Sequence, residues 1–233
     1  MQVTSYCGPA PLPAEAMNAW NTDPVLLAGL AMAIVLIGRT ARPRPALAGV
    51  AVLAIVFVSP LCAISVALFS ARALHHILIV AVAAPLIALA FPARRSGALG
   101  CAFVSATALL WLWHLPALYD RALMDTLVYW VMQLSLLVSA IWFWRCLFAA
   151  PSVSSSLMTI TAMAQMGMLG ALLTFAPTAL YATHAGTTLA WGMSPLTDQQ
   201  LAGLIMWVPG VIPYALVLAI IAKRGWASIA ATS

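Results

Sequence analysis

Charged residues are scarce in this chain. Only 10 basic and 5 acidic residues occur among 233, or 6% of the sequence, whereas 64% of the residues are hydrophobic. A soluble domain is typically about 25% charged and 45–50% apolar. So few charges cannot cover the surface of a soluble protein, and they also exclude a disordered chain or a nucleic-acid-binding protein. The composition predicts a polytopic membrane protein embedded in a lipid bilayer.

Common catalytic and metal-binding motifs are also missing. The sequence has no GxSxG nucleophile elbow, no HExxH zinc motif and no phosphate-binding loop. Its four cysteines form no CxxC pair, which excludes a zinc knuckle and a thioredoxin-like motif. We therefore predict that the protein is not an enzyme.

Long apolar runs dominate the chain. A membrane-crossing helix needs ~20 mostly apolar residues, and the runs lack the alternation that barrel strands require. The predicted fold is an all-α transmembrane bundle of seven spans, forming one integral membrane domain over residues 1–233. Residues 64–70 form a weakly polar connection. If the elements on its two sides merge, the bundle has six spans instead of seven. The seven predicted spans are residues 24–38, 47–62, 73–91, 99–113, 126–144, 157–180 and 201–222.

Basic residues predict the orientation of these spans. Seven spans place Arg72 and Arg121 on one side and all the other basic residues on the opposite side, which the positive-inside rule assigns to the cytoplasm. The N-terminus is then external and the C-terminus cytoplasmic. We expect no cleavable signal peptide, because the first 23 residues lack a positively charged start. The eight cytoplasmic residues are Arg39, Arg42, Arg44, Arg94, Arg95, Arg145, Lys223 and Arg224.

All four histidines and all five carboxylates fall on the external side in this topology. Polar groups at a bilayer are costly, so their placement is a functional signal, although histidines bonded to backbone or water would give the same pattern. The histidines are His75, His76, His114 and His184, and the acids are Glu15, Asp23, Asp120, Asp125 and Asp198.

Two external segments concentrate these groups. Residues 114–120 place the imidazole of His114, the phenol of Tyr119 and the carboxylate of Asp120 in one turn. Asp198 opens the last span, where it is either part of a site or simply a helix N-cap. Prolines interrupt two spans, at Pro85 and within residues 207–213.

The available donor groups suit copper. Thiolate, thioether and imidazole groups together favour copper, and Cu(I) prefers the soft ones. Cys7 is either a mobile thiolate ligand or a thiol without a role. The methionines at residues 163, 166 and 168 do not share one helical face and indicate packing. A haem bound by His76 and His114 is an alternative that the spacing does not require.

Three segments resemble the CtaG-like cytochrome c oxidase assembly proteins of bacteria. The resemblance extends from residue 6 to about residue 222 and is most specific in the last segment. The segments are LHHILIVAVAAPL at 74–86, WHLPALYD at 113–120 and DQQLAGLIMWVPG at 198–210.

This resemblance implies a seven-span protein of the bacterial inner membrane that helps to mature a haem–copper oxidase by supplying copper. Its partners would be oxidase subunits or other assembly factors. The implied metal contacts are His76 and His114, supported by Asp120 and Asp198. Weaker candidates are His75, His184 and Cys7, with Tyr119 and Arg72 in supporting positions.

The chain also departs from the family pattern. Arg72 and Gln133 occupy positions where many members have histidine. These departures favour a looser copper-transfer site completed by a partner, or a scaffold or chaperone without metal. A small-molecule or metal permease that uses the interrupted last span is a further alternative.

Overall fold

The structure is a computed structural model that describes residues 5–91, 98–149 and 153–230, with side chains as far as residue 223. Within these ranges every regular element is helical, which confirms the predicted all-α class. Arg94 and Arg95, used above to predict the orientation, lie outside the described residues, as does the side chain of Arg224.

Ten helices account for most of the described residues. Helix α4 contains a π-helical segment, and short 3-10 turns connect α8 to α9 and α9 to α10. The helices are α1 (Pro24–Gly38), α2 (Pro43–Val58), α3 (Leu61–Ala67), α4 (Phe69–Ala88), α5 (Leu99–Trp113), α6 (Pro116–Met124), α7 (Thr126–Ala149), α8 (Val153–Phe175), α9 (Pro195–Trp207) and α10 (Ile212–Ala230).

Between four and six candidate membrane spans occur in the described part of the chain. Four are long and apolar enough by themselves: Phe69–Ala88, Thr126–Ala149, Val153–Phe175 and Pro195–Lys223, the last of which joins α9 to α10. The number rises to six if each bent pair, α2 with α3 and α5 with α6, forms one span. Helix α1 is apolar but has only 15 residues. The seven-span count and the orientation therefore stay predictions.

The region between the second and third predicted spans differs from expectation. Residues 64–70 do not form a polar connection, because α3 continues to Ala67 and α4 begins at Phe69. Helix α4 thus starts four residues before the predicted start at Ala73. Helices α2 and α3 meet at a bend of 49° beside Pro60, which has no N–H to continue the helical hydrogen bonds.

Helix α8 also differs from the sixth predicted span, residues 157–180. It begins at Val153 and ends at Phe175. Pro177 explains the early end, because proline disfavours a helical conformation in the residue before it and cannot donate a backbone hydrogen bond. The residues that follow form a loop with two 3-10 turns, and this loop carries His184 into contact with the bundle.

Both predicted proline interruptions are present. In α4, Leu78–Ala83 forms a π-helical segment just before Pro85, where a wider turn accommodates the hydrogen bond that proline cannot make. The indole N–H of Trp144 donates to the Val80 carbonyl at 2.8 Å. In the last predicted span, a 3-10 turn at Pro209–Val211 separates α9 from α10.

A disulfide bond ties the N-terminal segment to the bundle. Cys7 is joined to Cys62 in the first turn of α3. The Tyr6 hydroxyl donates to the Asp23 carboxylate at 2.7 Å, and this hydrogen bond holds the pKa of Asp23 below its ordinary value. The interpretation of Cys7 as a free thiol is therefore wrong for this oxidised form. The two cysteines lie 55 residues apart, so no local pattern indicates their pairing.

Helices α8 and α9 approach each other closely at two glycines. A Cβ atom on Gly170 would lie 2.8 Å from the Gly203 carbonyl oxygen, and one on Gly203 would lie 2.7 Å from the Thr174 backbone nitrogen. Small residues permit such backbone contacts between membrane helices. The contact fixes α9 against the bundle and thereby positions Asp198 in its first turn.

We expect Gly203→Ala to lower the thermal stability, because overpacking a tight contact typically costs about 1–3 kcal/mol. Gly29→Ala is the matched control, since Gly29 lies within α1 and has no atom within 4 Å of its Cβ position. That alanine should be neutral or stabilising by up to about 1 kcal/mol, through helix propensity. The midpoint of thermal unfolding in detergent measures both effects. Equal midpoints for the two variants would contradict the close contact.

Candidate functional site

The carboxylate of Asp198 lies at the start of α4. Asp198 belongs to the first turn of α9 and is fully buried. It accepts hydrogen bonds from the backbone N–H groups of Phe69 and Ser70, at 2.6 and 3.1 Å, and from the Ser70 hydroxyl at 2.5 Å. A helix start leaves its first N–H groups without partners inside the helix. Asp198 therefore caps α4 from a different helix, where its negative charge also suits the helix dipole.

The alternative that Asp198 caps its own helix is wrong. Ser194 is the N-cap of α9, and its hydroxyl oxygen accepts the Thr197 N–H at 3.1 Å. The next residue, Gln199, accepts the Leu180 N–H at 2.7 Å. The start of α9 thus organises both α4 and the loop that follows α8.

Three candidate residues lie on one face of the capped helix. Arg72, His75 and His76 are related by steps of three and four residues, which places them side by side on α4. All three are buried. The His75 ring packs edge-on against Phe57, with ring centroids 5.2 Å apart. The alternative of solvent-bonded histidines at the membrane interface does not fit His75 and His76, because both are buried inside the bundle.

The rings of His76 and His114 converge, with their centroids 6.0 Å apart. His114 follows the last residue of α5, and its Nδ1 lies 2.7 Å from the Leu110 carbonyl oxygen. A carbonyl oxygen can only accept, so Nδ1 carries the proton and Nε2 keeps its lone pair in the neutral ring. The Nε2 of His76 has no hydrogen-bond partner among the described residues.

The loop after α8 is held against α6 by two polar contacts. Tyr119 Oη and His184 Nε2 are 2.7 Å apart. Asp120 accepts the Thr183 backbone N–H at 3.3 Å and also the Thr183 hydroxyl. These contacts engage Tyr119 and Asp120 in binding the loop. The candidate turn 114–120 therefore has a structural role in addition to any chemical one.

Burial and charge lower the pKa of His184 to about 3. Burial is the main cause, and the positive charge of Arg72 adds to it. Both effects oppose protonation. His184 is therefore neutral at ordinary pH, with its ring bonded to Tyr119 rather than exposed to solvent.

Arg72 is the least expected of the three buried polar residues on this face of α4. The side chain is fully buried, and its guanidinium carbon lies 5.4 Å from the centroid of the Tyr129 ring. None of its three nitrogens forms a well-aligned hydrogen bond within the described ranges, although the phenols of Tyr119 and Tyr129 lie near it. Gln133, one turn after Tyr129 on α7, is also buried, and neither of its amide atoms forms a well-aligned hydrogen bond there.

The candidate metal ligands do not assemble into a closed site. Over the described part of the chain, no group of three or more His, Cys, Asp or Glu side chains could hold a metal ion. Asp120 and Asp198 are occupied by hydrogen-bond donors, and Cys7 is in a disulfide. The structure thus brings together one pair of implied ligands, His76 and His114.

Residues 97–228, more than half of the chain, match the family model described as cytochrome c oxidase caa3 assembly factor (Caa3_CtaG). The chain belongs to this family. The resemblance to CtaG-like proteins is thereby confirmed, and an assembly-factor family suggests a non-catalytic role. No curated protein and no solved structure matches the chain.

The Caa3_CtaG match divides the candidate residues into two groups. Five of them, His114, Tyr119, Asp120, His184 and Asp198, lie inside the matched range. The other four, Cys7, Arg72, His75 and His76, precede it. The convergence of His76 with His114 therefore joins the two parts of the chain.

Sequence reasoning missed the residues that hold the candidates in place. Ser70 and Thr183, which bind Asp198 and Asp120, are small polar residues without a distinguishing sequence signal. Tyr129 lies beneath Arg72 but was part of an ordinary apolar run. Gln133 stood out only as a replacement for histidine. Contacts between residues so far apart in the chain leave no mark on local sequence patterns.

We expect Asp198→Asn to destabilise the protein by about 1–3 kcal/mol, because the amide is a weaker acceptor and leaves a buried N–H group poorly satisfied. Asp125→Asn is the matched control. Asp125 accepts the N–H groups of Leu127 and Val128 at the exposed start of α7, where water can replace the lost hydrogen bonds. The difference in unfolding midpoint measures the effect. A loss for Asp125→Asn as large as for Asp198→Asn would contradict the special role of the buried cap.

We expect acid to destabilise the protein through His184. The unfolded chain protonates this ring near its ordinary pKa of 6.5, whereas the folded pKa is about 3. As pH falls from 6.5 towards 3, the unfolded state therefore binds the extra proton, and stability decreases by at most about 1.4 kcal/mol per pH unit. Unfolding midpoints between pH 7.5 and 4.5 should fall less steeply for His184→Gln. Identical pH dependence in the two proteins would refute this assignment.

Proposed function

We propose that this protein aids the maturation of a caa3-type cytochrome c oxidase by holding copper between His76 and His114 and passing it to an oxidase subunit. Copper is cargo in this proposal, and the site of transfer is the external face of the bacterial inner membrane. The observation that carries the proposal is the convergence of these two imidazoles, 6.0 Å apart, within a member of an oxidase assembly family.

The separation of the two rings suits one shared ion. With a metal–nitrogen distance of about 2 Å, two imidazoles on one ion have ring centroids up to roughly 6.4 Å apart. Imidazole is a suitable ligand for copper. The bond from His114 Nδ1 to the Leu110 carbonyl also resembles the support that metal-binding histidines usually have, since it fixes the ring and leaves Nε2 available.

Two features favour the transfer of copper to an oxidase subunit over its storage in this protein. Two ligands leave open coordination positions that a better-coordinated site in the oxidase could exploit by ligand exchange. The guanidinium of Arg72, one helical turn before His76, repels a cation and so weakens copper binding by the two histidines. Asp120 and Asp198 support the site indirectly, because they fix the loop and helix α4 rather than reaching the metal.

The disulfide supports the external assignment of this face. Disulfides form and persist in oxidising compartments such as the bacterial periplasm and are rare in the cytosol. Cys7 Sγ lies 3.4 Å from the Tyr129 hydroxyl, and Arg72 lies over the same Tyr129 ring. The disulfide and the buried side chains of Arg72, His75 and His76 therefore lie at the same end of the bundle.

A metal-free scaffold for an oxidase subunit is the second candidate function. It is favoured by the lack of any three-ligand metal group in the described residues and by the positive charge of Arg72. In such a protein the buried histidines would only stabilise the fold. Lipid-facing helices would then contact the partner directly.

We expect His76→Ala and His114→Ala each to weaken Cu(I) binding to the purified protein at least about tenfold, as each removes one of two ligands. His75→Gln is the matched control, because this neighbouring ring packs against Phe57. Competition with a Cu(I) chelator measures affinity. Oxidase activity and copper content in cells that carry each variant measure maturation.

The two candidate functions predict different outcomes. Loss of copper binding and of oxidase maturation in both alanine variants, but not in His75→Gln, supports copper delivery. Unchanged copper binding and unchanged maturation in both alanine variants would overturn it. Copurification of the oxidase subunit in that case would support the scaffold.

A further inference from the structure

Arg72 is a fully buried cation without a counter-ion. Its side chain has 0% solvent exposure, and within the described residues the one ion pair joins Arg121 to Asp125 elsewhere on the surface. Its Nε, Nη1 and Nη2 atoms also form no well-aligned hydrogen bond there. Arginine does not lose its proton in proteins, so neutralisation of the side chain is not available.

The groups around Arg72 do not balance its charge. The phenol oxygens of Tyr119 and Tyr129 lie near the guanidinium and can accept weak, poorly aligned hydrogen bonds from it, but both phenols are neutral and do not balance its charge. His75, one turn along α4, has two ring nitrogens without partners, and the Gln133 amide is also unsatisfied in this part of the structure. Several poorly satisfied donors and one full positive charge therefore meet, and no carboxylate among the described residues forms an ion pair with Arg72.

An unpaired buried charge costs several kcal/mol. Native proteins avoid this cost by pairing such a charge or by binding a ligand of opposite sign. Water could satisfy the hydrogen bonds of the guanidinium, but a neutral molecule would leave the charge uncompensated. A carboxylate from a partner protein could not reach a side chain with no exposed surface.

We infer that Arg72 binds a small inorganic anion of halide size inside the bundle, with further donors from Gln133 and His75. The complete burial of the guanidinium limits the ligand to a monatomic or similarly small anion. Chloride is the most abundant anion of this class and is the probe chosen below. The ligand groups of this site are distinct from the His76–His114 pair, so the test below stands whether or not the protein carries copper.

The test is the thermal stability of the whole protein in a non-ionic detergent, with sodium gluconate replaced stepwise by sodium chloride or bromide at constant ionic strength. A ligand that binds only the folded state raises the unfolding midpoint in a saturable way. We expect a rise of a few degrees for the wild type with either halide. Arg72→Gln should abolish this rise, and its midpoint in gluconate should equal or exceed that of the wild type.

Arg121→Gln is the matched control, because the Arg121 side chain is 67% exposed and paired with Asp125. It should keep the full halide response. No halide response in the wild type, or an equal response in Arg72→Gln, would overturn the proposal and indicate water only. If Arg72→Gln does not fold, the chloride-35 NMR resonance is measured in the presence of the wild-type protein. We expect the protein to broaden this resonance and bromide to reverse the broadening. Absence of that broadening would refute the site.

Discussion

The buried cap formed by Asp198 is the interaction on which the candidate site depends. One carboxylate satisfies two backbone N–H groups and a hydroxyl at the start of α4, and it does so from the first turn of α9. Helix α9 is held in place by the glycine contact with α8. The positions of Arg72, His75 and His76 follow from where α4 begins. A displacement of α9 would therefore move all three side chains together.

The polar interior is unusual for a chain with so few polar residues. Four histidines, one arginine and one aspartate are buried in the bundle, together with two glutamines and several serines and threonines. Three of these groups have clear partners: Asp198 binds the start of α4, His184 binds Tyr119, and His114 binds the Leu110 carbonyl. The groups without protein partners, Arg72 and the rings near it, lie on one helix face. That separation distinguishes the residues that build the fold from those available for a ligand.

Much of the helical architecture could be predicted, because apolar runs and prolines act locally. Pro85 and the turn at Pro209–Val211 interrupt helices as expected, whereas Pro177 ended α8 earlier than the hydropathy pattern indicated. The convergence of His76 and His114 was also expected, although from a family resemblance rather than from spacing. The disulfide and the partner of Asp198 could not be foreseen, since each joins segments far apart in sequence.

The distance along the chain between Asp198 and Ser70 has a consequence for biogenesis. The two residues are separated by 128 positions, and a ribosome adds about 5–20 residues per second. Roughly 10 s therefore pass between the synthesis of helix α4 and the synthesis of Asp198, the residue that caps it. During that interval its buried arginine and histidines have no fixed place in the membrane. We therefore expect this protein to depend on membrane insertion factors that hold helix α4 until Asp198 has been synthesised, even though the loops between its helices are short.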